Sequence, residues 1–317
     1  MKHTELMGLK REVGHASLFL SLTRNCNTLC RYCSCMPKLN GTGPNLRLTT
    51  VLKLLNWFAD RKDGFQTLQL SGGEPLLYGG LFDVINAAKS LDYIVRLQSN
   101  GLSIKDLSHS DMRQLEAVRV KISVDGPSKK YHEIHREAGS FDKAVEGVSI
   151  LLSNGITTGV KTVFTRHNID AASAMVDFLS MLGARNFTYN LVEKTGLART
   201  MGDICVTEYD VVRRIIGPLS KRKNWHLLNG TNILRWFLAG KRTVRDRLPW
   251  FIDYRGDVYR GQVFDKMIKV GNIYDCEWEE LFTQRNPGTE TLTCDHRSFN
   301  LIMRALSSFC SSGVSLH

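Results

Sequence analysis

The chain has 317 residues, of which 43% are hydrophobic, and its formal net charge is +11. This length allows one large domain or a domain with an extension, and the composition is typical of a globular protein. It has no run of about 18 uncharged apolar residues, so no membrane span is expected. Residues 1–16 contain no apolar stretch that would predict a signal peptide. Eight cysteines without regular pairing favour a reducing compartment over a disulfide framework, which predicts a cytoplasmic protein.

The basic residues are scattered along the chain, with small groups at 221–223 and 241–247. A solvated basic surface explains such a distribution, and the attraction of an anionic substrate or partner is the alternative. Because the charge does not form a continuous patch, we do not expect a nucleic-acid partner.

The first apolar segment, 17–22, is predicted to be a strand that leads into a cysteine-rich loop. The loop reads CNTLCRYC and places Cys26, Cys30 and Cys33 in a C-x3-C-x2-C pattern. Three thiolates at this spacing can hold three irons of a [4Fe–4S] cluster and leave the fourth iron open. Three unrelated buried thiols are one alternative. A zinc site with Cys35 as its fourth ligand is another.

A second motif follows the next predicted strand, 67–70. The turn reads GGEP, in which Gly72 and Gly73 leave the backbone bare, so that a ligand can approach its N–H and C=O groups. Glu74 can accept hydrogen bonds from an ammonium group. Taken alone, this turn is only a strand-to-helix loop. Its position one βα unit after the cysteine loop makes the signal more specific.

Strands and helices are predicted to alternate as far as residue 192. Helices are predicted at 49–61, 81–90, 104–115, 141–154 and 171–183, and further strands at 93–98, 118–124, 158–164 and 186–192. Each connection is long enough for a right-handed crossover, so this α/β pattern predicts a parallel sheet with helices outside. The polar motifs follow the strands, where chemistry is found in barrel proteins.

With these motifs in this order, the sequence resembles the radical S-adenosylmethionine (SAM) superfamily. The resemblance is strong over 17–165 and moderate to 200. It implies a partial (β/α)6 TIM-like barrel over 17–200 that follows an N-terminal segment, 1–16. It also implies one [4Fe–4S] cluster, with SAM bound at the open iron, and an electron donor such as flavodoxin or ferredoxin.

The resemblance also assigns contacts with SAM. It implies that the GGEP turn receives the amino group, that the backbone of Tyr32 meets the adenine, and that Asn100 and Ser123 touch the ribose or methionine parts. The stretch SVDGPSKKYHEIHREAGSFDKAVEGV is similar to the SPASM-associated subgroup. There, Arg136 would pair with the SAM carboxylate through two parallel donors. Ordinary turns and a solvated arginine are the alternatives.

The region 201–317 departs from the pattern. Its stretch 251–282 resembles the hairpin, loop and short helix of a SPASM or twitch extension, which predicts a small α+β cap on the barrel. Relatives have cysteines there that hold auxiliary clusters, whereas Cys276, Cys294 and Cys310 are 18 and 16 residues apart. We therefore expect a cluster-free extension, and a cluster assembled from scattered thiols is the alternative.

The resemblance implies a radical SAM enzyme that reductively cleaves SAM and takes a hydrogen atom from its substrate. A ribosomally made peptide is the first substrate hypothesis, because SPASM-like caps commonly accompany peptide maturation. A small anionic metabolite, such as a nucleotide or an amino sugar, is the alternative that the positive charge supports. A non-enzymatic Fe–S or zinc protein is the alternative from another class.

Two side chains after the sixth strand are candidates for catalysis. Without an auxiliary cluster, a substrate radical can be quenched by a thiol, and Cys205 is the candidate hydrogen donor. Glu193 is the candidate for orienting a substrate or accepting a proton. A plain packed cysteine and a solvated loop carboxylate are the respective alternatives.

Overall fold

Six strands and their connecting helices form the first part of the fold. The computed structural model describes residues 17–35, 41–61, 67–184, 186–216, 250–260 and 268–283. The strands are β1 (Ser17–Ser21), β2 (Thr67–Ser71), β3 (Ile94–Ser99), β4 (Arg119–Ser123), β5 (Thr158–Phe164) and β6 (Asn186–Leu191). The helices are α1 (Leu48–Ala59), α2 (Leu81–Ser90), α3 (His109–Gln114), α4 (Lys129–His132), α5 (Ser140–Ser153), α6 (Ala172–Met181) and α7 (Glu208–Val211).

The six strands lie side by side in chain order and all run parallel. Parallel neighbours need a crossover connection, and helices supply it here. The sheet does not close on itself: within the described residues, β6 lies at one edge. The predicted α/β class and the partial barrel are therefore confirmed. No helix in the described ranges is both long and apolar enough to span a membrane.

The hydrophobic core lies between the sheet and the helices. In α1 the buried residues repeat at helical spacing and form one apolar stripe: Val51, Leu54, Leu55 and Phe58. In the strands every second residue joins the same core, as Val120 and Ile122 do in β4. Lys121 and Ser123, which alternate with them, therefore lie on the opposite, inner face of the sheet.

Three further strands extend the same sheet beyond β1. These are β7 (Trp250–Ile252), parallel to β1, followed by the antiparallel strands β8 (Asp257–Arg260) and β9 (Ile268–Asn272). A short helix, α8 (Trp278–Thr283), places Phe282 against Trp57 and Phe58 of α1. The elements predicted at 251–282 are thus present, and they continue the barrel sheet. The division of the chain at residue 200 stays a prediction.

The predicted helix at 104–115 is two pieces. A 3-10 turn, Ile104–Asp106, ends before α3, and the Ser108 hydroxyl accepts a hydrogen bond from the Asp111 N–H at 3.1 Å. Ser108 has an extended backbone, which suits an N-cap and interrupts a continuous helix. Several features predicted from the sequence lie outside the described residues: the segment 1–16, the basic groups at 221–223 and 241–247, Cys294 and Cys310.

Candidate functional site

The cysteine loop and the GGEP turn pack against each other at the carboxyl end of the sheet. The Gly73 N–H donates to the Thr23 carbonyl, and the Glu74 N–H donates to the Asn25 carbonyl, each at 2.7 Å. A Cβ added to Gly73 would lie 2.2 Å from the Asn25 oxygen, and one on Gly72 would lie 2.6 Å from the Thr23 oxygen. The two glycines therefore allow the loop that carries the cysteines to approach the turn closely.

Glu74 is completely buried and links the turn after β2 to the end of β3. Its carboxylate accepts hydrogen bonds from the Asn100 N–H at 2.7 Å, the Ser99 hydroxyl at 2.8 Å and the Leu76 N–H at 3.2 Å. Burial raises the pKa of Glu74 to about 7, although these bonds act in the opposite direction. The structure thus gives Glu74 internal partners, and its contact with SAM stays a prediction.

Asn100 connects β3 to the cysteine loop. Its side-chain N–H group donates to Asn27 Oδ1 at 2.7 Å and lies 3.8 Å from Cys26 Sγ. Its side-chain oxygen accepts from the Leu102 N–H at 2.9 Å. The amide of Asn100 is therefore oriented from both ends, with its donor directed at the predicted cluster ligand.

Arg136 is the centre of a buried polar network beneath the cysteine loop. Its Nε donates to Asp125 Oδ2 at 2.5 Å, and its Nη2 donates to the Tyr32 hydroxyl at 2.9 Å. Its Nη1 lies 3.6 Å from Cys30 Sγ. The Tyr32 hydroxyl donates to the same Asp125 oxygen. The Arg136 and Asp125 side chains are only 8% and 1% exposed, so water does little to screen this ion pair.

Asp125 is the main residue that the sequence reasoning missed. Burial is the largest single effect and would raise its pKa, but Arg136, His132 and Tyr32 together outweigh burial and hold the pKa of Asp125 below its usual value. In the sequence, Asp125 belongs to an Asp-Gly pair, which is an ordinary turn former, and its one available signal is its position directly after a predicted strand. The short helix α4 between the two residues brings Arg136 back over Asp125.

Two histidines of the same segment support the site. The His132 Nδ1 accepts a hydrogen bond from the Asp125 N–H at 3.1 Å, and the His135 carbonyl accepts from the Arg31 N–H at 2.8 Å. Burial lowers the pKa of both histidines to about 4. Both rings are therefore neutral near pH 7, and they position the network without adding charge to it. Neither histidine was predicted to belong to the site.

The three cysteines lie on one loop, and none of them forms a disulfide. Cys26 is 7% exposed, and burial raises its pKa to about 12; burial also raises the pKa of Cys30, against the effect of Arg136. Buried thiolates need a compensating cation, which iron supplies, so this donor set fits a [4Fe–4S] cluster. In the described ranges no three His, Cys, Asp or Glu side chains converge on a single metal ion. In a [4Fe–4S] cluster each cysteine binds a different iron, so its ligands need not converge on one ion.

The predicted catalytic residues lie near β6. Cys205 is half-buried and packs on a small apolar cluster of Val192, Ala198 and Ile204, which Tyr32 also contacts. The structure therefore brings Cys205 to the neighbourhood of the cysteine loop. Glu193 is exposed directly after β6, and its carbonyl accepts from the Thr195 N–H at 2.7 Å. Cys205 as hydrogen donor and Glu193 as base stay predictions.

Residues 20–179, about half of the chain, match the family model described as the Radical SAM superfamily. The chain belongs to this superfamily. Radical SAM proteins are enzymes that use a [4Fe–4S] cluster together with SAM. The matched residues include the cysteine loop, the GGEP turn and the Asp125–Arg136 pair.

The curated relatives belong to more than one activity class. The chain is 26% identical over 209 residues to an AdoMet-dependent heme synthase of Oleidesulfovibrio alaskensis, which covers 65% of this chain and 53% of the relative. It is 29% identical over 190 residues to a probable GTP 3',8-cyclase of Methanopyrus kandleri, covering 59% of each. The radical SAM chain thus spans little more than half the length of these curated relatives.

Two solved structures share its fold. SuiB of Streptococcus suis bound to S-adenosylmethionine has a TM-score of 0.62 at 13% identity and covers 88% of this chain and 67% of SuiB. The protein anSMEcpe with bound AdoMet has a TM-score of 0.63 at 16% identity and covers 93% of this chain and 99% of anSMEcpe. At such identities the likeness concerns the fold, and it agrees with the radical SAM partial barrel.

Proposed function

We propose that this chain binds one [4Fe–4S] cluster through Cys26, Cys30 and Cys33 and acts as a radical SAM enzyme on an organic substrate. The observation that carries the proposal is the set of three cysteines on one loop, of which Cys30 is contacted by Arg136 and Cys26 by Asn100. When bound, the cluster and SAM supply reductive cleavage of the sulfonium and a carbon radical that removes a substrate hydrogen atom.

The chain's own residues hold and orient these groups. Arg136 and Asn100 each direct a side-chain N–H at a cysteine sulfur, and such contacts stabilise negative charge on thiolates. Glu74 fixes the turn that carries Gly72 and Gly73 against the loop. The GGEP turn is proposed to receive the SAM amino group.

Further SAM contacts are proposed at two strand ends and on the loop. The Tyr32 backbone is assigned to the adenine, and Asn100 and Ser123 are assigned to the ribose or methionine parts. Arg136 is assigned to the SAM carboxylate. Three of its N–H groups are already directed at Asp125, Tyr32 and Cys30. Since a guanidinium has five donors, the carboxylate would share the group with these partners.

The C-terminal strands are proposed to be a SPASM-like extension without an auxiliary cluster. Cys276 is exposed near the end of β9, and no second cysteine in the described residues 250–260 and 268–283 accompanies it. A substrate radical would then need another outcome, and Cys205 is the proposed hydrogen donor, with Glu193 as the proposed orienting or proton-accepting group.

Two classes of molecule are candidates for the substrate. A ribosomally made peptide is supported by the fold neighbour SuiB, one structure of which is bound to the precursor peptide SuiA. A small anionic metabolite is supported by relatives named GTP 3',8-cyclase and heme synthase. A flavodoxin or ferredoxin is the proposed electron donor.

The proposal is tested by anaerobic reconstitution, reduction with dithionite and quantification of methionine and 5′-deoxyadenosine from SAM. The expected result is formation of both products by the native chain and of neither by a variant with all three cysteines changed to Ala. Cys276→Ala is the matched control, because it removes an exposed thiol, and it should cleave SAM as the native chain does. Equal SAM cleavage by the triple variant would contradict the proposal.

A further inference from the structure

The inner face of the parallel sheet carries two lysines in strands that lack acidic residues. None of the six parallel strands contains an Asp or a Glu. Lys121 of β4 and Lys161 of β5 lie on this face, because Val120 and Val160 beside them are buried in the core on the other side. Both lysine side chains therefore extend from the face that lines the inside of the barrel.

Lys121 reaches sideways across the sheet. The register pairs Lys121 with Gly159 of β5, which has no side chain on the inner face. The Lys121 ammonium passes over this position and donates to Thr188 Oγ1 in β6 at 2.7 Å. The contact holds the Lys121 ammonium two strands away from its own backbone, next to Thr188, which is the register partner of Lys161.

Lys161 lies between two hydroxyl residues, Ser123 in β4 and Thr188 in β6, in register with both. No described residue forms a hydrogen bond or salt bridge with its ammonium group. Burial lowers the pKa of Lys161. Cys35 and Asp125 act against this shift through their charges, but Asp125 is already paired with Arg136. A desolvated ammonium without a hydrogen-bond acceptor costs free energy, which an anion placed beside it would recover.

The position of Lys161 along the strand connects it with the reacting end of the barrel. Its charge interacts with Cys35 and Cys33, which places it near the cysteine loop. Its strand neighbour Ser123 is a proposed SAM contact. A group bound at Lys161 would therefore lie beside SAM.

We propose that Lys161 and Lys121, together with the hydroxyls of Ser123 and Thr188, form a subsite for a phosphate or carboxylate group of the substrate. The inference rests on the proposed function, because it assumes that the substrate enters the barrel beside SAM. It favours the anionic metabolite over an uncharged peptide segment as the group that contacts this face. Its chemistry is that of a charge-assisted hydrogen-bonding site, in which lysine ammoniums and hydroxyls donate to anionic oxygens.

The carboxylate of SAM is an anionic group of the same kind, so the test must distinguish it from an anionic group of the substrate. We would titrate the reconstituted holoprotein, saturated with SAM, with inorganic pyrophosphate in an anaerobic calorimeter, and measure SAM affinity in a parallel titration. Lys161→Met is expected to weaken pyrophosphate binding by about tenfold or more, because one charge-assisted contact is lost. SAM affinity should stay within about twofold of the native value.

Lys161→Arg retains the charge and should bind pyrophosphate more tightly than Lys161→Met does. Lys121→Met is the second variant and should also weaken pyrophosphate binding. Lys143→Met is the matched control, because Lys143 is exposed on α5 and its loss removes the same charge from the outer surface. Iron content is measured for each variant to show that the site has assembled.

Unchanged pyrophosphate affinity in Lys161→Met would overturn the proposal, as would a native holoprotein that binds no pyrophosphate. A large loss of SAM affinity in that variant, with or without a change for pyrophosphate, would assign Lys161 to the SAM carboxylate and would also overturn it. Binding is measured without turnover. Failure of the native chain to cleave SAM, with pyrophosphate binding intact, would therefore contradict the proposed function alone.

Discussion

Replacement of Arg136 by Met should leave the carboxylate of Asp125 buried without its partner. The Asp125 side chain is 1% exposed and its ion pair with Arg136 is 2.5 Å long, so water cannot replace the lost contact. Breaking a buried pair on one side costs about 3–5 kcal/mol. We expect the free energy of unfolding to fall by about that amount near pH 7, measured by urea unfolding under anaerobic conditions.

The pH dependence follows from the direction of the pKa shift. The folded protein holds the pKa of Asp125 below its ordinary value of 3.8, so the pair stabilises the fold above that pH and loses its contribution as the pH falls below it. The deficit of Arg136→Met should therefore be largest at neutral pH and shrink as the pH falls below about 4.

The double variant Arg136→Met, Asp125→Asn is the control, because it removes both charges. It should recover part of the lost stability. If the free energy of unfolding of Arg136→Met lies within about 1 kcal/mol of the native value, as expected for an exposed ion pair, the reasoning is refuted.

The SAM affinity of the single variant Arg136→Met tests the assignment of Arg136 to the SAM carboxylate. The expected loss is about 2–4 kcal/mol, and unaltered affinity would remove that assignment.

Three further predictions concern single residues. Gly73→Ala places a Cβ 2.2 Å from the Asn25 oxygen and should lower the iron content after reconstitution. Gly79→Ala is the control, because its added Cβ would have no neighbouring atom within 4 Å, and it should retain the iron. Equal iron content in the two variants would contradict the close packing of Gly73 against the cysteine loop. Because burial raises the pKa of Glu74 to about 7, its ionisation should reduce stability as the pH rises from about 4.5 to 7, by up to about 3 kcal/mol. Glu74→Gln should remove that slope, and an unchanged slope in urea unfolding would be the contrary result. If the product is an epimer, Cys205→Ala should still cleave SAM but fail to complete turnover. The product that the native chain makes in heavy water should then carry one solvent deuterium. Full turnover by Cys205→Ala would reject the role of Cys205.

The sequence predicted those parts of the fold that depend on local patterns. The bounds of α2 and β5 agree with the predicted 81–90 and 158–164, because apolar periodicity defines both elements. The break before α3 was missed, since a single serine cap outweighs a continuing helical pattern. The pairing of β7 with β1 joins residues more than 200 positions apart, and no local pattern encodes such a contact.

The sequence points to the candidate ligands of the site, but not to the residues that support them. Cys26, Cys30 and Cys33 are recognisable because their spacing along the chain is itself the signal. The Asp125–Arg136 pair is not, since two residues 11 positions apart meet only once a four-residue helix has turned the chain. The close approach of Gly73 to the cysteine loop likewise requires the packed structure.

The central claim is that three cysteines of one loop hold a single [4Fe–4S] cluster. Its most direct test is the iron content per chain after anaerobic reconstitution, compared with that of the variant in which Cys26, Cys30 and Cys33 are all Ala. The account predicts about four irons in the native chain and none in the variant. Iron retained by the variant would contradict the assigned ligands, and about eight irons in the native chain would contradict the cluster-free extension.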